Sequence, residues 1–119
     1  MILIVGGEGS GKRTFAKSLG YSDKDIADAV LDERPVLYRL EQMVFADPDC
    51  TDELLNTLAD KEVVICNEVG SGVIPANRAE RVGREATGRL CVLLAQKANC
   101  VVRMVSGIPV VIKGDLPGR

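Results

Sequence analysis

Four apolar residues in a row, Ile2 to Val5, run into two glycines, and comparable apolar blocks return twice further along the chain. A short continuous apolar run closed by turn residues reads as a strand buried on both faces of a parallel sheet. "EVVIC" (62–66) and "CVVRMV" (100–105) are the second and third such strands, and "VVIK" behind the turn "GIP" pairs as a last edge strand. Between these blocks the period becomes helical. "RTFAKSLG" reads as a helix stopped by Gly20. In "SDKDIADAVLDE", Ser22 and Asp25 form a capping-box pattern, and Ile26, Ala29, Val30 and Glu33 keep helical spacing until Pro35 breaks it. "VLYRLEQMVF" puts Val36, Leu37, Leu40, Met43 and Val44 on one helical face, although its first residues also suit a short strand. Thr51 or Asp49 caps a helix running to about Asp60.

A long helix is expected from about Asn77 to Ala98, with Ala79, Val82, Ala86, Leu90 and Leu93 as its apolar stripe and arginines on the other faces. Gly83 and Gly88 each weaken an exposed helix by roughly 1 kcal/mol, so close packing is the expected reason for both. Strand and helix alternate, which implies a parallel sheet with helical crossovers. With 119 residues and no linker or repeat, residues 1–119 are expected to form a single domain.

Composition sharpens this picture in four places. Tryptophan is absent and aromatics reach only 3%, so the core must be Val, Leu, Ile and Ala. A net charge of −2 speaks against a nucleic-acid surface. The charge is uneven: residues 21–60 hold eleven acids and three bases, residues 77–98 five bases and two acids, which reads as solvated helix faces. Cys50, Cys66, Cys91 and Cys100 show no CxxC spacing, which fits a reducing cytoplasm, and no segment reaches the ~18 apolar residues of a membrane span. Histidine is absent, so imidazole chemistry is excluded for these residues.

The candidate chemistry begins at "GGEGSGKRT", residues 6–14. A phosphate-binding loop has glycine, four residues, glycine, lysine, then serine or threonine, placed between a strand and a helix. Gly6, Gly11 and Lys12 fit. Inward-turned amides around Gly7, Glu8, Gly9, Ser10 and Gly11 would cradle phosphate, with Lys12 as a mobile ammonium. The residue that normally holds Mg²⁺ by its hydroxyl is replaced by Arg13, and Thr14 lies about 100° further round the helix. Binding survives such a change more readily than metal-assisted transfer does. Arg13 can itself neutralise phosphate charge. Glu68, at the end of the second strand, is either a metal- or proton-handling acid or a loop carboxylate, since ligands of parallel sheets gather at the strands' carboxyl ends.

"ILIVGGEGSGK", "VVICNEVGSGVIP", "GRL" and "ANCVVRMVSGIPVVIKG" together resemble the cobinamide kinase / cobinamide-phosphate guanylyltransferase family of cobalamin biosynthesis. The resemblance covers the first twenty residues and roughly 61–114. It implies a P-loop NTPase-like (RecA-like) three-layer α/β fold with a small, mostly parallel sheet and a C-terminal edge strand. It further implies ATP or GTP with Mg²⁺, phosphorylation of the adenosylcobinamide alcohol, then guanylyl transfer, in a homotrimer. By motif, Gly6, Gly7, Glu8, Gly9, Ser10, Gly11, Lys12, Arg13 and Thr14 bind nucleotide. Lys12 and Glu68 carry the catalysis, Thr14 and Glu68 the metal, and Asn67, Val69 and Gly70 border the site.

This chain departs from the family pattern between its first helix and "EVVIC". That stretch is short, Arg39 falls where an acid is expected, and the histidine that becomes guanylylated is missing. Three readings stay open at this level: a reduced kinase, a degenerate nucleotide-binding partner or sensor, and a remnant that binds no nucleotide.

Overall fold

The computed structural model describes residues 1–69 and 77–117. Its centre is β1 (Ile2–Gly6), paired in parallel with β4 (Val63–Asn67) on one side and β5 (Cys100–Val105) on the other. Beyond β4 come β3 (Val36–Tyr38) and β2 (Ile26–Asp28), both parallel; beyond β5 the antiparallel β6 (Ile108–Lys113) closes the six-stranded order β2-β3-β4-β1-β5-β6. The three apolar blocks of the sequence are thus the three central strands. Ile4, Ile65 and Val102 are fully buried, as continuous apolar strands covered on both faces must be.

Helices cover the two faces unequally. Against one lie α2 (Leu40–Ala46), α3 (Thr51–Ala59) and α4 (Arg78–Lys97), joined to the sheet through Leu3, Leu37, Val64, Leu58 and Leu90. The other face is closed by α1 (Lys12–Ser18), with Phe15 and Ala16, and by Leu116 near the end of the chain. On the edge strand β6, Ile108 and Ile112 are 63% and 60% exposed among the described residues.

Three expectations are corrected. Residues 22–33 do not form a helix. The capping box Ser22–Asp25 is present, yet it closes a single 3-10 turn (Asp23–Asp25), and Ile26–Asp28 is the strand β2. Starting a helix is costly, whereas the backbone of Ile26–Asp28 finds partners at once along Val36–Tyr38. The start of "VLYRLEQMVF" is accordingly the strand that its first residues allowed.

In α4 the buried stripe is Gly83, Ala86, Thr87, Leu90 and Leu94, while Val82 and Leu93 are 37% and 39% exposed. Gly83 sets this rotation. An added Cβ there would come 2.9 Å from the Phe45 ring, so α2 and α4 touch across a glycine. Gly88 is different: among the described residues nothing lies within 4 Å of a Cβ built there, and close packing does not account for it. Among the described residues no helix is long and apolar enough to cross a membrane.

Candidate functional site

The glycine loop leaves β1 at its carboxyl end and is clamped from both neighbouring strands. Gly6 O accepts from Glu68 N–H at 2.8 Å, and Ser10 O accepts from Gly107 N–H at 3.0 Å in the β5–β6 turn. A side chain at Gly6 would meet Ser10 Oγ at 2.7 Å and Met104 O at 2.8 Å. Gly11 enters α1 with φ of 92°, a left-handed conformation that costs other residues dearly.

Within this loop Lys12 is only 5% exposed. Its ammonium donates to Gly7 O at 2.6 Å, with Ser10 Oγ at 3.5 Å. Burial lowers the Lys12 pKa, and the negative charges of Glu41, Glu68 and Glu8 oppose that shift. A hollow of about 330 Å³ opens beside it, lined by Glu8, Gly9, Ser10, Gly11, Lys12, Arg13, Thr14, Tyr38, Arg39 and Asn67. The loop residues singled out from Glu8 to Thr14 therefore share one concave surface.

Two arginines stand on its rim. Arg13 donates to Asp23 at 2.9 Å; Arg39 grips Asp28 with Nε and Nη2 at 2.6 and 2.8 Å. Both guanidinium carbons lie against the Tyr38 ring, 5.5 and 5.9 Å from its centroid. Arg39 has φ of 58°, left-handed for a residue with a full side chain, at the turn from β3 into α2.

Asn67, at the end of β4, forms the wall between this hollow and a second one of about 310 Å³ lined by Val5, Glu68, Val69, Thr87, Gly88 and Cys91. Asn67 is fixed by Glu41, whose Oε1 accepts from its backbone N–H at 3.0 Å and whose Oε2 accepts from its side-chain amide at 3.3 Å. Glu68, one residue on, is gripped by Arg103 through two hydrogen bonds of 2.6 and 3.1 Å. Gly70 and the rest of the glycine-broken loop to residue 76 lie outside the described residues.

Comparison with known proteins adds the decisive observation: the family description "Cobinamide kinase / cobinamide phosphate guanyltransferase" matches residues 29–112, most of the chain. The chain belongs to this family. The bifunctional adenosylcobalamin biosynthesis protein CobU of Escherichia coli (strain K12) is 38% identical over 74 residues, 62% of this chain and 41% of that protein. Its namesake in Salmonella typhimurium (strain LT2) is 47% identical over 53 residues, 44% of this chain and 29% of that protein. The matched stretches thus span less than half of either relative.

Membership in the cobinamide kinase family fixes the fold as P-loop NTPase-like, and the mostly parallel sheet with glycine loop after its central strand agrees. The family match begins at residue 29, beyond the loop, so loop geometry and family are independent observations.

Mg²⁺ is expected at Thr14 and Glu68, which the fold places at two adjoining hollows. Thr14 lines the loop hollow and Glu68 the neighbouring one, and both Glu68 oxygens are engaged by Arg103. Among the described residues no group of three or more Cys, Asp or Glu side chains is gathered to hold a metal ion.

The sequence reading also passed over Glu41, a buried acid facing Lys12 and Asn67. The signal was available: Glu41 stands three residues before buried Val44, on the inward edge of an otherwise apolar helix face. A carboxylate at such a position requires a partner.

Proposed function

We propose that this chain is a reduced cobinamide kinase of cobalamin biosynthesis. It holds ATP or GTP by the phosphates and passes the terminal phosphoryl group directly to the alcohol of adenosylcobinamide. The observation that carries the reading is the buried ammonium of Lys12 at a hollow formed by the glycine loop. Residues 1–119 act as one nucleotide-binding domain, with Gly6 to Thr14 around the polyphosphate.

In the transfer, the bond from the acceptor oxygen to the terminal phosphorus forms as the bond to the departing nucleoside diphosphate breaks. Lys12 steadies the charge on the departing oxygens, and positioning supplies most of the rate in such reactions. Glu68 takes the hydroxyl proton when Arg103 releases it. Guanylyl transfer through histidine has no residue to proceed on, since these 119 residues contain none.

The grip of Arg103 on Glu68 favours a second reading, in which the same hollow binds nucleotide without transferring phosphate, as a partner or sensor protein. A single-turnover assay with terminally labelled ATP or GTP and adenosylcobinamide separates the two. Labelled cobinamide phosphate supports the kinase; saturable nucleotide binding with no product supports the sensor.

Four free thiols fit a reducing cytoplasm, and the exposed apolar side chains of β6 fit burial in a homotrimer, which light scattering of the purified chain tests.

A further inference from the structure

We infer that the loop hollow takes its polyphosphate as the free anion rather than as the magnesium complex, with Arg13 in the position of the metal-holding hydroxyl and Arg39 beside it at the same hollow. The inference rests on the nucleotide reading above.

A P-loop site holds its metal through the hydroxyl after the loop lysine and an acid at the end of a neighbouring strand. Here the residue after Lys12 is Arg13, the acid at the end of the neighbouring strand β4 is Glu68 with both oxygens engaged by Arg103, and Arg39 follows β3 one strand further out. Either arginine alone would be a local oddity. The fold brings both guanidiniums to one cavity beside the Lys12 ammonium and lays both against one ring, that of Tyr38.

Three cations at one hollow repel a divalent metal and attract an anion. Arg13 and Arg39 line the hollow, whereas Asp23 and Asp28, the aspartates that hold them, do not. The lining includes the exposed carboxylate of Glu8 and the hydroxyl of Thr14, and Glu41 and Glu68 also act on the Lys12 ammonium, so the two arginines are the cations that most distinguish this hollow.

The backbone supports the same assignment. Arg39 adopts a left-handed conformation that an ordinary residue avoids, and such strain persists where the surroundings fix a functional geometry. The ion pairs to Asp23 and Asp28 are about half exposed and therefore weak, whereas a guanidinium binds phosphate by paired, charge-assisted hydrogen bonds. Exchange of a carboxylate for a phosphate oxygen is thus open to both arginines. A metal-free triphosphate, more negative than its magnesium complex, makes better use of them.

The test titrates the full chain by calorimetry with ATP and with inorganic tripolyphosphate, in EDTA and in excess MgCl₂ at matched ionic strength. Affinity in EDTA is expected to exceed that in MgCl₂ by about tenfold. Arg13→Ser and Arg39→Asn should each weaken binding in EDTA about tenfold, the loss expected for one charged hydrogen-bonding partner, and shift the preference towards MgCl₂. Asparagine at position 39 keeps the left-handed backbone accessible, so the second variant tests charge rather than folding. Tighter binding in MgCl₂ than in EDTA, abolished by Lys12→Ala, overturns this inference and leaves the nucleotide reading standing. Binding under neither condition overturns both.

Discussion

Arg103 reaches across from β5 and takes both carboxylate oxygens of Glu68, at 2.6 and 3.1 Å. The register explains the encounter: Arg103 lies opposite Val5 of β1, and Glu68 N–H bonds to Gly6 O just beyond the β1–β4 ladder. In the kinase reading Glu68 receives the acceptor's proton, a role worth about 10²–10⁴ in rate. Glu68→Gln should therefore cut single-turnover transfer by about a hundredfold or more while leaving nucleotide affinity within about threefold, since no phosphate is held by it. Unchanged turnover removes Glu68 from the mechanism. The pair itself is partly exposed, so stability should fall by no more than about 1 kcal/mol.

Lys12→Ala separates binding from folding. The ammonium is buried and its charged form is disfavoured there, so its loss should leave the melting temperature unchanged or raised. Triphosphate affinity should fall about tenfold or more, the loss expected for one charged hydrogen bond. Parallel loss of stability and affinity would show that the lysine acts as a structural tie to Gly7.

The parts of this molecule that were legible in its sequence are those dictated by local rules. Ile2–Val5, Val63–Cys66 and Cys100–Val105 announce themselves because strands buried on both faces need no alternation. The loop from Gly6 to Lys12 is legible because few other backbones require that glycine spacing. Ile26–Asp28 was misread as helix because its extended form depends on Val36–Tyr38, a partner that helical spacing cannot reveal. The same limit hid Glu41. Its partner Asn67 lies 26 residues away, and only the fold brings α2 against the end of β4. Arg13 and Arg39 were each visible as departures, but their meeting at Tyr38 belongs to tertiary structure.

Glu41 should prove a structural support of the site. Glu41→Ala leaves the Asn67 backbone N–H and side-chain amide without their acceptor in a partly buried setting. An unsatisfied buried donor costs about 1–3 kcal/mol, and urea unfolding should show a loss in that range. Glu41→Gln, which keeps an acceptor oxygen, should lose less. Equal stability of all three proteins would show that water replaces the carboxylate freely.

The two helical glycines make opposite predictions. Gly88→Ala should stabilise by about 1 kcal/mol, because the exposed helix gains propensity and the added methyl meets no described atom. Gly83→Ala should destabilise by about 1–3 kcal/mol, since its methyl would lie 2.9–3.1 Å from Phe45 ring atoms and push α2 from α4. Thermal melts of the two single variants decide the matter. A stabilised Gly83→Ala would mean that the half-exposed Phe45 ring swings aside at little cost.

Tyr21 provides a pH dependence of definite sign. Its hydroxyl donates to Glu62 Oε1 at 2.9 Å, and burial first, then this bond and the nearby carboxylate, push its pKa up from 10.0 to about 12. Above pH 10 the unfolded chain releases the phenolic proton while the folded chain retains it. The folded state then binds more protons, and stability must fall as pH rises between about 10 and 12. Below pH 10 the contribution is fully present. Tyr21→Phe should cost about 0.5–1.5 kcal/mol at neutral pH through the lost hydrogen bond and should abolish the alkaline fall due to this residue. Comparing the two proteins pH by pH cancels the opposite contribution of Lys12, whose lowered pKa adds stability as pH rises towards 10.5. Unfolding curves that stay parallel from pH 9 to 12 would show that Glu62 does not hold the proton on Tyr21.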